Sequence, residues 1–124
     1  MILLTIPEVQ MLHAKLIQKT GGTDRLRDKG LLESAVYSAD ISFGDVEKYP
    51  STEEKAARLA YALICNHAFL DGNKRIGILV MLTTLKLNQI PLSYTQKELI
   101  ELGLSVASGI SGYEDILKWI QNHK

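Results

Sequence analysis

Apolar residues recur at helical spacing along most of the chain, and the stretches that carry this spacing open with a shared signal. Ser or Thr is followed three residues later by Glu at Thr5 and Glu8, Ser51 and Glu54, Thr95 and Glu98, and Ser111 and Glu114. At that spacing each side chain can satisfy an orphan backbone N–H of a helix's first turn. After Thr5, the residues Val9, Leu12, Leu16 and Ile17 form one stripe, which stops at Gly21-Gly22. A second helix is predicted after Asp28, with Leu31, Leu32, Ala35 and Val36 inward. The segment Ser51 to Asn66 is apolar on most of its circumference, as a central helix would be, and Ile76 to Leu87 is more apolar still. The last two helices are predicted over Thr95 to Ser108 and Ser111 to Asn122, with Leu99, Leu102, Val106, Ile116, Leu117, Trp119 and Ile120 as core candidates. The rhythm breaks between Ile41 and Pro50, where Ile41, Phe43, Val46 and Tyr49 are interleaved with Ser42, Gly44, Asp45 and Lys48. That alternation predicts an extended flap or short hairpin. The fold class expected is all-α with one small extended excursion.

A chain of 124 residues has room for one domain, at roughly 100–200 residues per domain, and residues 1–124 are expected to form it. Its 46% hydrophobic residues suffice for a core without a disulfide or metal staple. Lys+Arg and Asp+Glu are 14 each, so no overall field favours nucleic acid or an anionic membrane, and any phosphate recognition must be local. The single cysteine, Cys65, excludes an intramolecular disulfide and a zinc site of several thiolates. The opening residues lack a basic region, and the wholly aliphatic run Ile78 to Leu82 is far shorter than the roughly 20 residues a bilayer requires. A soluble, cytoplasmic protein is expected.

The chemistry concentrates between the two most apolar helices. His67-Ala68-Phe69-Leu70-Asp71-Gly72-Asn73-Lys74-Arg75 gathers a base, a carboxylate, an amide and two cations beside a buried body, where charges are costly unless they pair or serve a ligand. Phe69, with Leu70, would anchor this loop to the core. If Asp71 to Lys74 opens the next helix, its unpaired N–H groups form an anion site reinforced by Lys74 and Arg75, and Gly72 removes a side chain that would block close approach. Beside a polyphosphate, Asp71 is suited to hold Mg²⁺ through one carboxylate. His67 titrates near neutral pH and is the candidate general base. Together these groups describe phosphoryl or nucleotidyl transfer to a hydroxyl. The bland alternative is a capping turn in which Asp71 caps the helix and the two cations are merely solvated.

His67 to Arg75 resembles the signature of the Fic/Doc superfamily, His-x-Phe-x-Asp/Glu-Gly-Asn-Gly/Lys-Arg-x-x-Arg, matching at His67, Phe69, Asp71, Gly72, Asn73, Lys74 and Arg75. Outside the motif, Arg27 to Ala35, Tyr49-Pro50 with Glu54 to Ala57, and Leu87-Asn88 are similar to the death-on-curing (Doc) branch. The resemblance implies a compact helical Fic fold with a flap. It also implies roles: His67 would take the acceptor's proton, Asp71 would hold Mg²⁺, and Gly72, Asn73, Lys74 and Arg75 would bind the phosphates of ATP. The flap residues Ile41, Ser42, Phe43, Gly44, Asp45 and Val46 would pair edgewise with an extended segment of a target protein.

Two positions depart from the AMP-transferring pattern: Lys74 stands at its second glycine and Ile78 at its second arginine. In that pattern the glycine makes room for the phosphates and the arginine grips the γ-phosphate. Lys74 would obstruct that pose while offering a point charge in another, and the Doc branch, which shares the lysine, is understood to transfer the γ-phosphate. The implied activity is therefore phosphorylation of a protein hydroxyl, on the family's pattern a threonine of elongation factor Tu. AMP transfer and a non-catalytic binding module remain alternatives. No Ser or Thr has Glu four residues on, so the self-inhibitory helix of some Fic proteins is not written here, and inhibition is expected from an antitoxin in trans.

The remaining reactive side chains read as structural. His13 is expected on the surface of the first helix and His123 in a frayed C-terminus. Cys65, Met81 and Trp119 are expected in the core. Arg25, Arg27 and Lys29 alternate with Asp24 and Asp28, which predicts a mixed-charge surface and an Arg27–Asp28 pair fixing the second helix.

Overall fold

The computed structural model describes residues 1–124. It is all-α apart from one hairpin, as the pattern predicts. The helices are α1 (Ile6–Thr20), α2 (Lys29–Tyr37), α3 (Thr52–Asn66), α4 (Asn73–Leu87), α5 (Gln96–Ala107) and α6 (Tyr113–Asn122). A single 3-10 turn, Ser38–Asp40, follows α2, and the hairpin pairs β1 (Ser42–Phe43) with β2 (Val46–Glu47) in antiparallel register, Phe43 opposite Val46. No helix is long and apolar enough to cross a membrane.

Three of the four Ser/Thr–Glu signals form reciprocal capping boxes, at Thr5 and Glu8, Ser51 and Glu54, and Thr95 and Glu98. The fourth is displaced by one residue. Helix α6 starts from Gly112, whose N–H donates to the Asp115 carboxylate at 2.8 Å, and Ser111 with Glu114 does not cap it. The Asp28 side chain accepts from the Leu31 N–H and starts α2.

Helix α3 runs through the middle of the molecule and divides the core in two. Its Leu59, Ala62 and Leu63 pack with Val9 of α1, Leu32 and Ala35 of α2, and Ile76 and Val80 of α4. On its other side, Ala57, Ala60 and Ile64 pack with Met81 and Leu85 of α4, Leu102 and Val106 of α5, and Ile116 and Ile120 of α6. Gly77 lets α3 and α4 touch: a Cβ there would lie 2.6 Å from Ile64 Cγ1 and 3.0 Å from the Ala60 carbonyl oxygen. The loop from His67 to Gly72 therefore joins two helices in direct contact at the centre.

Several side chains lie elsewhere than the sequence predicts. Cys65 is exposed at the last turn of α3, on the face that leaves the core, while partial burial still pushes its thiol pKa up. Trp119 is only half-buried, and the imidazole of His123 covers one of its faces, with ring centroids 4.0 Å apart. Lys55, on the inner face of α3, is buried at 2% exposure. Its ammonium donates to the Ala39 carbonyl at 2.9 Å and pairs with Glu47 at 2.9 Å and Asp40 at 3.4 Å. One buried cation thus ties the base of the hairpin to the central helix.

His123 is not frayed. Its backbone carbonyl accepts from Ser93, its Nδ1 donates to the Trp119 carbonyl at 2.7 Å, and its Nε2 donates to Glu98 at 2.8 Å. Both ring nitrogens face acceptors, so only the imidazolium satisfies both, and the pKa of His123 is raised above its ordinary 6.5, first by the bond to Glu98. The same bond is the main reason the Glu98 pKa is lowered to about 2. A raised histidine stabilises the fold below its unfolded pKa and loses that contribution as pH rises through the folded value. A lowered carboxylate contributes above its unfolded pKa and loses it as pH falls. The stability lost in His123→Ala is therefore expected to be greatest between about pH 4.5 and 6.5, and to shrink as pH rises through the raised His123 value and as it falls toward about 2, where Glu98 protonates. Melting curves across that range check it, since loss of Trp119 stacking alone would leave a deficit that does not vary with pH.

Candidate active site

The loop between α3 and α4 is built as a set of backbone ties. Helix α3 ends at His67 in the left-handed conformation, φ 52° and ψ 48°, which is uncommon and unfavourable for a residue with a Cβ. Arg27 compensates: its Nε donates to the His67 carbonyl at 2.6 Å and its Nη2 to that of Asn66 at 3.3 Å, placing a cation on the exposed carbonyls and negative dipole of a helix C-terminus. These bonds replace the predicted Arg27–Asp28 pair, and Arg27 is a part of the loop rather than of a mixed-charge surface. The chain at Arg25–Arg27 then runs beside the loop as a strand would, with the Ala68 carbonyl accepting from Arg27 at 2.8 Å and Leu70 donating to the Arg25 carbonyl at 3.1 Å.

Phe69 anchors the loop in the core at 2% exposure, whereas Leu70 stays out at 49%. Asn73 closes the turn from the other end. Its Oδ1 accepts from the Phe69 N–H at 3.0 Å and its Nδ2 donates to the Phe69 carbonyl at 2.9 Å. The Asn73 amide thus shapes the turn through the loop's own backbone, with its second N–H and its main-chain N–H left for a ligand. Gly72 is the N-cap of α4 at φ 78°. A Cβ there would meet Ile17 Cδ1 at 3.1 Å and His13 Nε2 at 3.3 Å. The glycine is needed for the left-handed turn and for close packing on α1, and a Cβ there would also come within 3.6 Å of the Arg75 guanidinium. Nor does Asp71 cap α4. The backbone N–H groups of Asn73, Lys74 and Arg75 precede the first α-helical bond, from Ile76 to the Gly72 carbonyl, so the anion-binding end of the helix is open.

His67 and Asp71 are both exposed on this loop. The Asp71 carboxylate accepts from the Thr23 N–H at 3.2 Å through Oδ2, which fixes its direction. No group of three or more His, Cys, Asp or Glu side chains converges anywhere in the chain, so no all-protein metal cage exists. A single exposed carboxylate fits Mg²⁺, which keeps its waters and takes further oxygens from phosphates. Arg75 donates to the Thr20 hydroxyl, and Lys74 packs its stem against Gly103 of α5, where a Cβ would come within 3.2 Å of it. Both cations line a groove of about 450 Å³ between α1, α4 and α5, whose walls include Leu16, Ile78, Leu99 and Gly103. A groove of about 580 Å³ at the other end of α4, lined by Leu85, Pro91 and Tyr94, contains no motif residue. The hairpin stands free: Ile41 and the flap residues Ser42, Phe43, Gly44, Asp45 and Val46 are all exposed, Phe43 and Val46 at 68% each.

A histidine, a carboxylate and an open helix N-terminus are carried on one loop of a six-helix domain with a single hairpin. Comparison with known proteins gives that class a family. The sequence profile of the Fic/DOC family matches residues 3–85, which include the motif, the flap, helices α1 to α3 and all but the last two residues of α4, and the chain belongs to that family. Toxin Doc of Mycolicibacterium smegmatis is 40% identical over 73 residues, 59% of this chain and 56% of the relative. The match thus spans little more than half the length of that relative.

Sequence reasoning missed three contributors to the site: Arg27, His13 and Thr23. Thr23 and Arg27 act through long-range contacts with the loop, which local patterning does not encode. For His13, proximity to Leu12 and Leu16 at helical spacing was the available signal, because those neighbours place it at the edge of the buried stripe.

Proposed function

We propose that this protein is a Doc-type toxin that transfers the γ-phosphate of ATP to a hydroxyl of a target protein, on the family's pattern a threonine of elongation factor Tu, and so arrests translation in the cytoplasm. The observation that carries the reading is the single loop on which His67 and Asp71 are exposed immediately before the open N-terminus of α4. In this reading His67 accepts the proton of the target hydroxyl as its oxygen bonds to the γ-phosphorus. The bond from that phosphorus to the β,γ-bridging oxygen breaks, and ADP departs. The N–H groups of Asn73, Lys74 and Arg75, with the Lys74 ammonium and Arg75 guanidinium, receive the phosphates. Asp71 would hold Mg²⁺, which supplies neutralisation of phosphate charge. The free hairpin edge, tied down only at its base by Lys55, is suited to add an extended target segment. An antitoxin acting in trans would restrain the toxin.

The test is incubation of purified protein with bacterial lysate and Mg²⁺, with ATP labelled at the γ-phosphate in one sample and at the α-phosphate in another. A protein band labelled from γ-ATP alone is expected. Labelling from α-ATP would make the protein an AMP transferase and overturn the role given to Lys74. Nucleotide binding with no labelled protein would mark a binding module.

A further inference from the structure

His13 is fully buried on α1 and lies against the motif at Phe69, Asp71 and Gly72. Its ring stacks on Phe69 with centroids 3.7 Å apart and planes 12° from parallel. Its Nε2 lies 2.7 Å from the Asp71 carbonyl oxygen, and it is one of the two side chains that a Cβ on Gly72 would strike. A carbonyl only accepts, so the proton sits on Nε2. Nδ1 is then a buried acceptor, and it has no partner. An unpaired buried nitrogen is unfavourable, and an apolar ring would pack against Phe69 without that cost. What the imidazole adds is the Nε2–H donated to Asp71.

We infer that His13 is a positioning residue: by holding the Asp71 peptide it sets where the Asp71 carboxylate and the open N–H groups of α4 stand, and so sets the affinity of the site for Mg-ATP. The Asp71 carboxylate is tied separately by the Thr23 N–H, so backbone and side chain of Asp71 are each held by one bond. The affinity part of the inference rests on the proposed function; the geometric part does not.

The test compares the wild type with His13→Leu, which fills space without a donor, and His13→Gln, whose amide N–H can reach the same carbonyl. Three readouts are taken: the imidazole tautomer in the wild type from long-range ¹H–¹⁵N spectra, the amide resonances of Asp71 to Asn73, and calorimetric binding of Mg-ATP. The expected result is an Nε2–H tautomer, displaced amide resonances and about tenfold weaker binding in His13→Leu, the size expected for one hydrogen bond, and recovery of both in His13→Gln. An Nδ1–H tautomer, wild-type amides and affinity in His13→Leu, or a His13→Gln protein no better than His13→Leu would overturn the inference. If the leucine variant does not fold, the tautomer and the glutamine variant decide. If the wild type itself binds no Mg-ATP, the proposed function fails, and the tautomer and amide resonances alone judge the positioning role.

Discussion

Exchange of His67 for alanine is expected to lower the rate of phosphate transfer by about 10²–10⁴ and with it abolish growth arrest, the usual consequence of removing a general base. The fold should persist. The His67 side chain is exposed and buries nothing in the core, and the left-handed backbone at this position is held by the bonds of Arg27 to the carbonyls of His67 and Asn66. Alanine tolerates that conformation less well than asparagine, so His67→Asn serves as a second variant that lacks the base while fitting the turn. Transfer from γ-labelled ATP and melting temperature, measured together, separate chemistry from folding. Undiminished transfer by a folded variant would remove His67 from the mechanism.

Secondary structure and site chemistry differ in how far they could be read in advance, for a physical reason. Helix starts depend on contacts three residues apart, and Thr5, Ser51 and Thr95 accordingly capped where the pattern put them. The exception, at Gly112, arose because Asp115 offers the same carboxylate one residue later. The motif residues were legible because their types and spacing are unusual. Their bonding within the loop was not: the sequence offers no sign that both ends of the Asn73 amide bond to Phe69. Nor does it show that a Cβ on Gly72 would face His13 and Ile17. His13, Thr23 and Arg27 reach the loop across 58, 48 and 40 residues of chain respectively, distances over which periodicity carries no information. Exposure failed at Cys65 for a related reason, since the helical stripe of α3 does not close fully around its last turn.

Replacement of Phe69 by alanine is expected to be the most destabilising single change in the site, by about 3–5 kcal/mol, as for other buried aromatics. That is a large part of the roughly 5–15 kcal/mol by which a domain of this size is stable, and on the order of 15 °C in melting temperature. The ring lies in the core with Leu32, Leu63 and Ile76, and its loss uncovers one face of the buried His13 imidazole. Its backbone is also the piece that Asn73 brackets and that pairs beside Leu26. The cavity therefore opens directly beneath the turn that carries Asp71 and Gly72. Phe69→Leu keeps most of the volume and should cost less than about 1.5 kcal/mol, losing chiefly the stacking on His13, itself worth about 0.5–1.5 kcal/mol for an aromatic pair. Thermal melts of the two variants check the ordering, and a Phe69→Ala protein melting within about 2 °C of wild type would show that the loop does not depend on its anchor. Amide exchange adds the spatial prediction: protection should fall first at Phe69 and at the start of α4, because the loop's hydrogen bonds are organised around this one buried ring.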